Sequence, residues 1–162
     1  MTDSDRETIH AAVAAYYNDT VTRHGATARG VDWKDEASHR LRHLQFLRLM
    51  AHEPDTSVLD LGCGYGDFLT TLRTNGHRGR YVGCDLAPAM IDTARSLHGE
   101  GSDRIWHLGG EPPEVCDYAV ASGILNVRRG ANEAAWTAYV DGIVATLARY
   151  GKRASVATIP ST

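Results

Sequence analysis

The residues with the most chemical promise stand in one short run, Asp60-Leu61-Gly62-Cys63-Gly64-Tyr65-Gly66, followed nineteen residues after Gly66 by Asp85. Alternating glycines let a chain turn sharply and bring its backbone against a ligand with no Cβ in the way. A carboxylate at the end of the next strand accepts hydrogen bonds from two vicinal hydroxyls, so Asp85 points to a ribose and to nucleoside recognition. A dinucleotide fingerprint reads GxGxxG and wants its third glycine at position 67. This chain has Asp67 there, whose charge repels a pyrophosphate at a helix N-terminus. NAD is therefore disfavoured, and with no GxxxxGK(S/T) in the chain a P-loop is excluded.

Two further groups invite a chemical reading and lose it. His39 and His43, four apart with Asp35 one turn earlier, have metal-ligand spacing. Arg40 and Arg42 beside them make a solvated helix face the expectation, so no metal is assigned. Cys63 sits inside the glycine run, where a small residue is expected rather than a nucleophile. With Cys84 and Cys116 it makes an odd number of cysteines and no CxxC pair, which argues against a disulfide framework and a structural zinc site and for reduced thiols.

The elements that must position these residues follow from periodicity. Residues 57–62, SVLDLG, form a short apolar run ending in the glycines, and GDFLTTLRTNG after it suits a helix stopping near Gly76. The unit repeats as YVGCD and PAMIDTARSLHG, with Pro88 in a first helical turn and Gly99 as C-cap. RIWHLGG and DYAVASG supply a third and a fourth strand. A helix from about Asn132 to Tyr150 carries Trp136, Val140, Ile143 and Leu147 on one face and ends at Gly151, after which ASVATI reads as a fifth strand. Ahead of these lie two amphipathic helices, one with Ile9, Val13 and Tyr17, the other with Trp33, Ala37, Leu41 and Leu44, joined by a loop from His24 to Trp33 that has the character of a lid.

Alternating strands and helices predict an α/β fold, a Rossmann-like three-layer αβα sandwich with a mostly parallel sheet in the order 3-2-1-4-5 and N-terminal helices added. Ligands in such sheets bind beyond the carboxyl ends of the strands where the order reverses, here just after Leu61 and Ser122. A chain of 162 residues fits one domain over 1–162, divided into a helical lead-in over 1–52 and a cofactor-binding core over 53–162. Seventeen Lys and Arg against twenty Asp and Glu give a net charge of −3, which offers no field for a polyanion, so nucleic acid is not the expected partner. Apolar runs are far shorter than a membrane span, and the polar start MTDSDRET has no signal-peptide core, so the cytoplasm is the expected compartment.

VLDLGCGYGDF (58–68) followed by YVGCDLAPAMIDTAR (81–95) resembles motifs I and II of the class I S-adenosylmethionine-dependent methyltransferases. DYAVASGILNV (117–127) is similar to that family's fourth-strand region, and GVDWKDE (30–36) resembles the lead-in of one bacterial subgroup. The resemblance implies S-adenosylmethionine as cofactor. It places Asp60 by the methionyl end, Gly62, Cys63 and Gly64 as a backbone wall, Asp85 on the ribose hydroxyls, Leu86 and Met90 against the adenine, and Ser122 among the cofactor contacts, in the run where acceptor and methyl donor meet. Where the family often has Gly-Asp after its third strand, this chain reads Gly109-Gly110-Glu111, so Glu111 or the Gly110 backbone is the candidate to serve the adenine, with Glu111 equally suited to a surface place in the loop with Pro112 and Pro113. Trp33 and Lys34 are candidates to cover the cofactor and meet its carboxylate, although Trp33 equally suits a helix anchor.

Methyl transfer needs no protein nucleophile, because proximity and alignment supply much of the acceleration. His24 and Tyr17 are the candidates for a base, and Asn126 for a substrate contact. Ser122-Gly123-Ile124-Leu125-Asn126 is not the (D/N)PP(Y/F) motif of enzymes that methylate exocyclic amines, which favours a small-molecule acceptor. The family sheet normally has seven strands closed by an antiparallel hairpin, and here the patterns provide five. A frameshift or truncation is favoured over a compact natural variant, leaving the fifth strand an edge open to homodimer pairing. The alternative to an enzyme is thus an inactive cofactor-binding remnant.

Overall fold

The computed structural model describes residues 2–50, 53–126, 128 and 132–158. Helix α1 spans Asp3–His24 and begins in a capping box, Asp5 N–H donating to Thr2 Oγ1 and Thr2 N–H to Asp5 Oδ2. It ends on Gly25, and a single 3₁₀ turn, Ala28–Val31, leads to α2 at Glu36–Leu49. His24 therefore closes a helix, and the connecting loop starts one residue later than its sequence suggests. The core then alternates: β1 Val58–Leu61, α3 Asp67–Thr74, β2 Tyr81–Asp85, α4 Pro88–His98, β3 Arg104–Leu108, β4 Cys116–Ala121, α5 Glu133–Tyr150 and β5 Gly151–Ala157. Asn132 caps α5 through its side chain, and Pro88 stands in the first turn of α4, as their sequence positions predict. Gly151 both ends α5 and opens β5, which starts three residues before the predicted ASVATI run; that run's Ile159 lies outside the described residues.

The sheet order is β3-β2-β1-β4-β5, with all four pairings parallel. This is the predicted Rossmann-like arrangement. Every residue of β1 is buried, as a central parallel strand covered on both faces requires. On one face Val58, Tyr81, Trp106 and Val120 meet Phe46 of α2, Phe68 and Leu72 of α3 and Ile91 of α4. On the other, Leu59, Val82, Cys84 and Ala119 meet Leu147 of α5. Helix α1 packs Ile9 and Val13 with Leu125 and Tyr139, and Val21 with Ala87 and Met90, so it crosses the loops at the carboxyl ends of β2 and β4. Among the described residues β5 pairs only with β4 and forms an edge, and no helix is long and apolar enough to cross a membrane.

Helix α2 corrects the sequence reading. Its buried stripe is His39, His43, Phe46 and, at its C-cap, Met50, in steps of four, three and four, whereas Ala37 is exposed and Leu41 is 57% exposed. The two histidines thus face the protein instead of solvent. A period-3.6 stripe is defined by position, and buried imidazoles occupy two of its places.

Candidate functional site

At the end of β1 the chain turns so tightly that Gly62 N–H and Cys63 N–H both donate to the Cys84 carbonyl, at 2.7 and 3.0 Å. Gly62 has φ of +78°, and a Cβ there would lie 1.9 Å from Ile124 Cγ2. Gly64, at φ +56°, would drive a Cβ to 2.7 Å from Val31 Cγ1. Both positions demand glycine, for conformation and for space. One β-strand away, Asp85 Oδ2 accepts from Gly64 N–H and Oδ1 from Ala87 N–H, each at 2.9 Å. Burial raises the Asp85 carboxyl above its usual range, while these backbone hydrogen bonds pull it back. The carboxylate keeps acceptor capacity for a ligand.

Asp60 lies within β1, 4% exposed, and its Oδ2 accepts from the Tyr81 hydroxyl at 2.6 Å. Burial pushes its carboxyl up to about 7, with the Asp85 and Asp67 charges adding to the rise. Cys63 is a buried thiol whose ionisation burial pushes far up, so it is no nucleophile at neutral pH. Across the turn, Ser122 Oγ is buried with no hydrogen-bond partner among the described residues. A buried hydroxyl without a partner is costly and suits a polar ligand group.

These residues line one cleft. Asp60, Gly62, Cys63, Gly64, Asp85, Leu86, Met90, Gly110 and Ser122 all border it, as does Tyr17 on α1. Burial pushes the Tyr17 phenol well above its usual range, which makes it a hydrogen-bond donor and a poor base. The other three candidates stand outside. His24 is exposed at the end of α1, Asn126 is exposed, and Glu111 turns away to accept from Arg149 and, at 2.7 Å, from the Tyr150 hydroxyl. Lys34 is also off the cleft, whereas Trp33 borders it, stacked on His39 with ring centroids 5.4 Å apart.

The sequence reading missed part of this wall. His10 and Tyr139 meet edge to face at 5.8 Å and close the cleft beside Leu86 and Gly110. Burial keeps the His10 imidazole below its usual range, hence neutral at pH 7. Their positions next to Ile9 and three residues after Trp136, on stripes already recognised, were the available signal. His39, His43 and Asp67 border the same cleft, with Asp67 in the place assigned to Asp35; the Asp35 side chain instead caps α2 by accepting from Ser38 N–H at 2.7 Å. Burial lowers both imidazoles, that of His43 to about 3. Among the described residues, those lining the cleft include three carboxylates, Asp60, Asp67 and Asp85, and neither Lys nor Arg. The wall favours a cation over a polyphosphate.

A curated protein of Mycobacterium tuberculosis carrying a provisional methyltransferase name is 32% identical over 108 residues, 66% of this chain and 64% of its own length. The chain thus spans less than two thirds of that relative. Among solved structures, magnesium protoporphyrin IX methyltransferase from Synechocystis PCC 6803 with bound SAM superposes with a TM-score of 0.67 at 16% identity, covering 91% of this chain and 74% of that one. The N-methyltransferase NodS from Bradyrhizobium japonicum WM9, in complex with S-adenosyl-L-homocysteine, gives 0.60 at 21% identity, covering 84% and 68%. At such identities the likeness establishes the fold. Residues 59–152, more than half the chain, match the family described as methyltransferase domain, and the chain belongs to that family.

Proposed function

We propose that this chain is an S-adenosylmethionine-dependent methyltransferase acting on a small-molecule acceptor. The observation that carries the reading is the junction of the Gly62–Gly64 turn with the Asp60 and Asp85 carboxylates and the unpartnered Ser122 hydroxyl, all at the carboxyl ends of the central strands. In this reading Asp85 accepts from the ribose hydroxyls and Leu86 and Met90 flank the adenine. Gly110 and His10 border the adenine in place of the acid that family members often use. Asp60 and Ser122 meet the ammonium end, and the Gly62–Gly64 backbone lies along the cofactor. The chemistry supplied by S-adenosylmethionine is an electrophilic methyl carbon on a sulfonium centre. The residues around it hold the reactants in line, exclude water through α1 and Trp33, and offer the Tyr17 hydroxyl as a donor.

Calorimetric titration with S-adenosylhomocysteine tests the reading. It predicts micromolar binding that Asp85→Ala removes, followed by S-adenosylhomocysteine formation when a panel of small nucleophiles is supplied with S-adenosylmethionine. A folded chain that does not bind overturns it. The second reading, binding without turnover, predicts the same titration with no product from any acceptor.

A further inference from the structure

We propose that His39, His43 and Asp67 form a three-ligand site for a divalent transition-metal ion, with its open coordination position facing the cleft. His39 Nδ1 lies 3.5 Å and His43 Nδ1 3.7 Å from Asp67 Oδ2, and the three potential ligand atoms all fall within 4.8 Å of one another. A tetrahedral ion with bonds of about 2.05 Å holds its ligand atoms about 3.3 Å apart, so small side-chain rotations complete the set. Two imidazoles and one carboxylate are the donors that zinc, cobalt and ferrous ions select, and three protein ligands with a free position distinguish a reactive site from a closed structural one.

The surroundings support the assignment. Both histidines are buried, their ring centroids 4.4 Å apart, on the stripe of α2 that packs against α3, and Asp67 opens α3 directly after the glycine turn. The ligands thus come from two rigid helices. Trp33 stacks on His39 and orients that ring from outside the set, while the Thr71 hydroxyl, 3.2 Å from His43 Nδ1, is the neighbour that a metal ion displaces there. Asp60 and Asp85 line the same cleft with no Lys or Arg among the lining residues, a setting that favours an added dication. The site does not depend on which nucleoside the cleft takes.

The test uses the whole chain, freed of any affinity tag and of metal, titrated with cobalt(II) and then zinc(II). The proposal predicts one equivalent bound, visible cobalt absorption that zinc abolishes, and a loss of affinity of roughly 100-fold or more in His39→Ala, His43→Gln and Asp67→Asn with circular dichroism unchanged. X-ray absorption at the cobalt edge of the unsubstituted chain counts coordinated imidazoles even where a variant fails to fold: two support the site, and one or none overturns it. No saturation below about 1 mM, or equal affinity in wild type and variants, also overturns it. S-adenosylhomocysteine titrated into the metal-free chain reports separately on the cofactor reading.

Discussion

The glycine turn after β1 and the stripe of α2 both border one cleft, yet they relate to the sequence in different ways. The turn is dictated by the backbone: its φ values of +78° at Gly62 and +56° at Gly64 exclude most side chains, so the requirement is written as residue type. The stripe is dictated by packing, where position matters and type is looser. His39 and His43 take places beside Phe46 that a hydrophobicity pattern assigns to leucines, and Leu41 is left in water. Backbone constraints are therefore legible one residue at a time, whereas packing constraints become legible only once the partner surface is known.

This contrast can be broken at its strongest point first. Phe46→Ala should cost about 3–5 kcal/mol in chemical denaturation, because Phe46 fills the core between α2 and Phe68. Gly62→Ala should cost about 3 kcal/mol, the sum of an unfavourable φ and a clash with Ile124. Asp85→Ala should weaken S-adenosylhomocysteine by at least about 10- to 100-fold in calorimetry, having removed a charged acceptor and the anchor of Gly64 N–H.

A smaller effect concerns pH. Asp60 faces the Tyr81 hydroxyl, the Cys63 and Cys84 thiols and the charges of Asp85 and Asp67, and it ionises near 7. In the free protein the folded state holds this proton more tightly than the unfolded chain, so the group's contribution to stability falls as pH rises from 3.8 to about 7. A cation in the cleft prefers the carboxylate and must expel that proton below pH 7. Cofactor affinity should therefore fall as the solution is acidified below about 7, by at most about tenfold per pH unit, and titrations of Asp60→Asn should be flatter. Least affected is Leu41→Ala, within about 0.5 kcal/mol in thermal melts, and a large loss there would restore the solvent-facing reading of the histidines.

How much of the site could be read in advance follows the same division. Strand order, the turn and the acid at the end of β2 were legible because parallel βαβ units leave a strict order of apolar run, glycine and helix. Asp60, Ser122 and Met90 entered through family resemblance and border the cleft. His24 was assigned from its place by a predicted lid loop, Glu111 as a substitute for the family's acid and Asn126 from the run after the fourth strand, and all three lie off the cleft. Glu111 had a more available partner in Arg149. His10 and Tyr139 were hidden since each required knowing that α1 crosses the sheet's carboxyl edge and meets α5 there.

In its metal-free state a cleft lined, among the described residues, by three carboxylates and neither Lys nor Arg also acts as a sieve among the many metabolites that share an adenosine. Nucleoside polyphosphates present the correct sugar and base but bring negative charge against Asp60 and Asp67, and they are turned away by the same groups that welcome a charged amine or sulfonium. Competitive inhibitors of this chain should accordingly be adenosine derivatives with a cationic 5′ substituent, and potency should follow that charge more closely than the length of the arm that carries it.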